Sequence, residues 1–265
     1  MHSALLQDGT LVAAAEYQVE RHGSSIHCID QTCLTPVIFI AGTENTVAYF
    51  KTSGKGNSVH KPSCGFFQKL TFEQSISKVT QFQQAFKDQG IQDVLVRLNL
   101  NAIDPDYVPK PMEREPKEKA LEEKSFKIKN ENETPQSISS LKAIKKLITN
   151  YEPDILASIV LSIKGQRVAI SELIKAEADA HAKLWAGELN SNLPYFIHGK
   201  IEKITRREKV WYISLSTSFS LVIFDKYFKH FTYKDKQLLD KEILAYGFLK
   251  KNTYSKERQS SEIIY

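Results

Sequence analysis

All three cysteines of this 265-residue chain fall between positions 28 and 64, and a histidine falls among them. Cys28 and Cys33 have four residues between them, and His60 and Cys64 have three. Thiolate and imidazole are the soft donors that zinc takes in a tetrahedron. Each pair sits on its own turn, and the β-type runs 37–41 and 46–51 predict a hairpin that brings the turns together. The expected cofactor is therefore one Zn2+ on Cys28, Cys33, His60 and Cys64. Four protein ligands would close that site and make it structural. His22 and His27 are the alternatives to His60, but the His-x3-Cys pair beside Cys-x4-Cys favours His60. Without metal, the same residues read as buried or free cysteines and a surface histidine. A module of residues 1–70 is too small to rest on apolar burial alone, so metal would supply much of its folding free energy. Its opening run, ALLQDGTLVAAAEY, alternates across Asp8-Gly9 and predicts a β-hairpin.

A second concentration of signal lies in residues 191–265. Five β-type runs are visible: 195–204, 209–216, 218–224, 242–250 and, weakly, 261–265. The loop 205–208 joins the first two, and an amphipathic segment, 225–239, separates the third from the fourth. Strand, strand, strand, helix, strand, strand is the order of an OB-fold β-barrel. In the first run Ile197, Gly199 and Ile201 alternate with Phe196, His198 and Lys200, which places the two sets on opposite faces. Gly199 in mid-strand suggests the tight bend that barrel closure needs. Residues 195–265 carry 14 Lys or Arg against 8 Asp or Glu, a net of +6, while the whole chain is +5. The basic excess is thus concentrated here. Single-stranded nucleic acid needs cations for its backbone and aromatic faces for its bases. The candidate contacts are Phe196, His198, Lys200, Lys203, Arg206, Arg207 and Tyr212.

Two resemblances add to this reading. The run FIHGKIEKITRREKVWYISLS, with FSLVIFDKYFKHF and LLDKEILAYGFLKKN, resembles the OB-folds of the tRNA-anticodon-binding and bacterial replicative-polymerase α-subunit type. That implies a nucleic-acid-binding barrel over about 70 residues. At the other end, GTLVAA, IHCIDQTCLTPVIFI, AYFKTSGKG and HKPSC resemble the N-terminal zinc region of the competence CoiA-like family, over roughly residues 5–67. This resemblance implies a zinc site and work on DNA. In that family a nuclease domain follows, but its continuation is not found here, and Tyr49-Phe50 stands where the family has a His-Phe step. Nuclease activity is not carried across.

Between the two ends, residues 71–104 read as a helix and strand extension. Phe72, Ile76, Val79, Phe82 and Phe86 recur at three and four, which predicts an amphipathic helix closed by Gly90; a strand in 91–104 suits the sequel. Residues 105–137 hold five prolines and mixed charge and read as a flexible linker. Residues 138–190 read as a helical region. One helix is capped by Ser137, Ser139 or Ser140, a second starts at Pro153 and ends at Gly165, and a third is capped by Ser171 and ends around Gly187.

Enzymatic constellations are sparse. No GxxxxGK[ST] loop and no serine nucleophile elbow occurs. Asp154, Glu172 and Lys175 are the conceivable members of a magnesium nuclease site, although Glu172 and Lys175 fall on an expected helix. His181 and His198 have no evident partners. No run of 18 apolar residues and no secretory leader is seen, so the expected compartment is the cytoplasm, without membrane contact.

The sequence thus predicts an α+β, multi-domain chain: an N-terminal β-rich zinc ribbon, a helical middle and a C-terminal OB-fold. Its expected role is a non-enzymatic accessory protein that binds nucleic acid through the OB-fold, with single-stranded DNA or a junction with a single-stranded portion favoured and RNA as the alternative. One alternative is a protein-interaction adaptor subunit of a DNA-processing or defence complex, docking through residues 138–190. The other is a divergent CoiA-like nuclease.

Overall fold

The computed structural model describes residues 1–44, 46–89, 94–100, 137–163, 165–253 and 259–264. The expected linker, apart from its last residue, and the expected helix stop at Gly90 lie outside the described residues. The described residues of 1–99 and 128–173 form one compact unit, and those of 100–127 and 174–265 form a second.

In the first unit, β1 (Ser3–Leu6) pairs antiparallel with β2 (Leu11–Ala13) and with β3 (Ile26–His27), which follows the short helix α1 (Val19–His22). The β1–β2 turn is the expected one: Gly9 takes φ 85°, and Thr10 N donates to Asp8 Oδ1. Strands β4 (Ile38–Ile40) and β5 (Tyr49–Lys51) form the expected second hairpin. Tyr17, Phe39 and Phe50 pack ring against ring beneath these strands.

Helix α2 (Phe72–Gln89) follows. Thr71 and Gln74 cap its start reciprocally, and it buries Val79, Phe82 and Phe86. Behind it lies a sheet ordered β7-β6-β8-β9, made of β6 (Val94–Leu98), β7 (Ser137–Ile138), β8 (Ile159–Ile163) and β9 (Gln166–Ala169). Strand β8 runs parallel to β6 and antiparallel to β9. Helices α3 (Leu141–Asn150) and α4 (Pro153–Ala157) precede β8, and a single turn, α5 (Ile170–Leu173), follows β9. Ser140 caps α3 through its side chain.

The expected helical region 138–190 is therefore interrupted by strands. The second expected helix stops at Ala157, and 159–163 becomes a strand. Ile-Val-Leu-Ser-Ile is a short, β-branched apolar run, and a strand flanked on both sides buries such a run whole. The third expected helix is broken after the α5 turn by a strand at Ile174–Ala176 and resumes over Glu177–Ala186.

The second unit opens with β10 (Ile174–Ala176), helix α6 (Glu177–Ala186) and β11 (Tyr195–Lys200). Gly187 ends α6 in the left-handed conformation, as its position predicts. Then come β12 (Lys203–Arg206), β13 (Val210–Ser214), β14 (Phe219–Phe224), a 3-10 segment (Asp225–His230), the short helix α7 (Asp235–Leu238), β15 (Glu242–Asn252) and β16 (Ser260–Ile264). Segment 225–239 is thus two short helical pieces instead of one amphipathic helix.

These strands form one sheet ordered β10-β11-β15-β16-β14-β13-β12, in which β10 with β11 and β14 with β16 are the parallel pairs. Its ladders do not close into a barrel. The chain nevertheless forces the sheet to curl. From β11 to β12 is five strand spacings, roughly 24 Å if flat, whereas Lys200 and Lys203 are three residues apart and span at most about 10 Å. Ile201 and Glu202 make the turn, bonded to Lys241 and Ser214. Gly199 supplies room just before it: a Cβ there would sit 2.9 Å from Glu177 Oε2 and 3.3 Å from Leu215 Cδ1.

Candidate functional site

The four expected ligands meet in the first unit. Cys28, Cys33, His60 and Cys64 bring their donor atoms within 4.8 Å of one another, close enough to hold a metal ion. Cys28 Sγ lies 3.7 Å from Cys64 Sγ, and His60 Nδ1 lies 3.5 Å from Cys33 Sγ and 3.4 Å from Cys64 Sγ. All three sulfurs are buried.

Each pair is carried on a backbone turn. Cys33 N and Leu34 N both donate to Asp30 O, with Leu34 at φ 51°. In the second turn Cys64 N donates to Lys61 O, and Phe66 N points at Cys64 Sγ from 3.4 Å. The Asp30 carboxylate ties the turns together. Its Oδ1 accepts from Thr32 N and Oγ1, and its Oδ2 accepts from Gly65 N and pairs with Lys78 Nζ at 2.7 Å on α2. Burial opposes the charge on Asp30, but Lys78 and the Gly65 and Thr32 donors outweigh it and hold the carboxyl below its ordinary value. Sequence reasoning did not single out Asp30 or Lys78. The Asp-Gln-Thr step between the cysteines is a legible side-chain turn, whereas its reach to Gly65 and α2 is not.

Hydrogen bonding from Cys28 draws the Cys64 thiol down to about 7, and the same contact pushes Cys28 up. Burial lowers His60, which favours the neutral ring that a ligand needs. A bound cation would displace the proton that the sulfur pair retains. His22 instead accepts from Gln18 N and stacks on Tyr17, and His27 lies in β3, so neither replaces His60.

Of the three conceivable nuclease residues, Asp154 and Glu172 are committed elsewhere, and Lys175 lies on strand β10 and not on the expected helix. Asp154 is buried and accepts from His2 N at 2.5 Å and Ser3 N at 3.1 Å. Glu172 is exposed and pairs with Lys87. Among the described residues the Cys/His group is the one such cluster of His, Cys, Asp or Glu. His181 has the partner that the sequence did not reveal: its Nδ1 lies 2.8 Å from Ser261 Oγ, which also accepts from Trp185 Nε1.

The candidate nucleic-acid contacts divide in two. Phe196 is fully buried, between Ile174 of β10 and Tyr246 of β15, and His198 is buried beside it. The expectation that these two face a ligand is corrected. Strand β11 is buried on both faces from Tyr195 to Gly199, and helix α6 packs against it. Arg206 bonds Asp235 Oδ1 through Nε and Nη2, bonds Tyr233 O, and lies 3.9 Å over the Trp211 ring. It holds the 225–239 segment in place. Phe228 stacks on Trp211 at 3.9 Å as well. Lys200 is exposed and pairs with Asp240.

Lys203 and Arg207 are exposed and Tyr212 is half-buried, with Arg207 5.7 Å from the Tyr212 ring centroid. Phe224, which sequence reasoning missed, joins them. It is 38% exposed and pairs with Val210 across from Tyr212's own partner, Val222. Period two puts Val210, Tyr212, Val222 and Phe224 on one face. No helix of the described residues is long and apolar enough to cross a membrane. Comparison of the chain with models of protein families, with curated proteins and with solved structures finds no match.

Proposed function

We propose that this chain is a non-enzymatic nucleic-acid-binding accessory protein, with a structural zinc centre in its first unit and an OB-type barrel in its second. For zinc, the support is metric. Tetrahedral bonds of about 2.3 Å to sulfur and about 2.05 Å to nitrogen require edges of roughly 3.8 Å between sulfurs and roughly 3.5 Å between sulfur and nitrogen. Three of the six edges, at 3.7, 3.5 and 3.4 Å, meet that requirement, and all four donor atoms lie within 4.8 Å of one another. With all four positions taken by protein, the ion would have no open site for a substrate.

For the barrel, the support is connectivity. If β11 and β12 count as one bent strand, the order is 1-2-3-5-4-1, with strands 3 and 5 parallel. The observation that carries the function is the surface of strands 2 and 3: Tyr212 and Phe224 share it, with Lys203 and Arg207 beside them. Bases stack on such rings and phosphates meet such cations, whatever the base sequence. Single-stranded DNA is the ligand we favour.

Anisotropy of labelled single-stranded DNA, duplex DNA and RNA at several salt concentrations tests this reading. Single-strand binding should fall steeply with salt. Tyr212→Ala with Phe224→Ala should weaken it by about 2–4 kcal/mol, from one stacked base on each ring. Arg206→Ala should chiefly lower stability, while Arg207→Ala should chiefly lower affinity. Unchanged affinity in the Tyr212/Phe224 variant would remove this face as the binding surface. Metal analysis of protein purified without chelator should give about one zinc per chain.

A further inference from the structure

Helix α3 buries Ile144, Leu147 and Ile148 and exposes Lys142, Lys145 and Lys146 on its other side. Positions i, i+3 and i+4 are neighbours on a helix, so the three ammonium groups form one stripe. No acid lies on α3, and no ion pair among the described residues engages these lysines. Like charges at this spacing repel and cost the free helix a little stability. A polyanion would relieve that cost.

The next residue along the stripe is Thr149, and it leads into a cleft of about 490 Å3. That volume falls in the range of small-ligand sites, ~300–1,000 Å3. Phe66 and Tyr151 supply aromatic wall, Gln68 and Asn150 supply amide groups, and Lys69 adds a further cation. Phe66 is backed by Phe82, stacked at 5.7 Å and 5°, which fixes its ring. Glu152 also lines the cleft, and the Met1 ammonium pairs with it at 2.7 Å.

We propose that the α3 lysine stripe and this cleft form a second single-stranded nucleic-acid site, in the first unit. The lysines follow the phosphates, and the cleft takes one unstacked base against Phe66 and Tyr151. This site does not depend on the Tyr212/Phe224 face. An acidic protein would satisfy the lysines but would leave an aromatic cleft with amide donors and acceptors unused. A membrane surface would need apolar residues to insert, and those of α3 are buried.

The test uses the full chain, a labelled oligothymidylate and a salt series. Four proteins are compared: the parent, Lys142→Gln/Lys145→Gln/Lys146→Gln, Tyr212→Ala/Phe224→Ala, and the two sets combined. The glutamines lie on an exposed helix face and should leave the unfolding midpoint unchanged. Three released counterions should lower the slope of log affinity against log salt by about 2, a loss on the order of a hundredfold at 0.1 M salt. The same drop should appear when the Tyr212/Phe224 face is already substituted. In that second background Tyr151→Ala should weaken binding further with no change of slope. An unchanged slope in the lysine variant overturns this site and leaves the Tyr212/Phe224 reading standing. Loss in the lysine variant alone does the reverse. A parent protein that binds nothing at low salt overturns both.

Discussion

The Asp30 carboxylate receives Thr32 on one oxygen and Gly65 and Lys78 on the other, at 1% exposure. Removing it leaves Lys78 without its partner and frees both metal-carrying turns. Asp30→Ala should therefore lower the unfolding free energy by on the order of 3 kcal/mol, read from denaturant midpoints with zinc in excess. A loss within error of zero would mean that the ion alone fixes the turns. Asp154 behaves oppositely. Burial pushes its carboxyl above the ordinary range, against the pull of the Met1 ammonium and the His2 amide. A carboxyl with a raised folded pKa costs stability as pH climbs from its unfolded value, about 4, through the folded one. Parent stability relative to Asp154→Asn should thus fall as pH rises from 4, in midpoints taken across pH 4–8. Parallel curves for the two proteins would count against that burial effect. The grouping of Cys28, Cys33, His60 and Cys64 was legible from spacing and donor type. Asp30 and Lys78 were not, because their partners lie 35 and 48 positions apart from each other's turn.

At the level of elements, local signals succeeded where one face and one partner decide the outcome. The Asp8-Gly9 hairpin, the amphipathic α2 and the Gly187 stop on α6 all follow from period and cap. They failed at 159–163, where a fully buried run has no periodicity to distinguish strand from helix. Phe196 failed for a related reason. Alternation along β11 separates its faces correctly, but both faces are buried, with helix α6 packed against the strand. Gly247 tests the closeness of that sheet. A Cβ there would stand 2.4 Å from Ile264 O, on the ladder between β15 and β16. Gly247→Ala should cost about 2–3 kcal/mol, measured by chemical denaturation followed through tryptophan fluorescence. A neutral effect would show that β16 can shift without loss.

On the scale of the molecule, the turns that carry the cysteines share one compact unit with α2 and α4. Lys78 of α2 pairs with Asp30, and Asp154 of α4 receives the first amides of β1. Chelation should therefore raise hydrogen exchange along α2 and β8 as well as in residues 1–67, with β11 to β16 as the internal reference. Protection of α2 and β8 that survives metal removal would restore the separate-module reading.

Composition and spacing by themselves determined which Cys and His residues gather, the basic excess of the last 70 or so residues and the succession of strands there. Donor chemistry, charge and period two are properties of residues a few positions apart, so they can be read along the chain. Tertiary structure alone decided which cations and rings stay available. Arg206 is consumed by Asp235 and Trp211 and Phe196 is buried, while Phe224 and the α3 lysines are left at the surface. Availability depends on what distant segments cover. Burial and pairing are set by contacts across the sheet and between helices, and no local pattern encodes them.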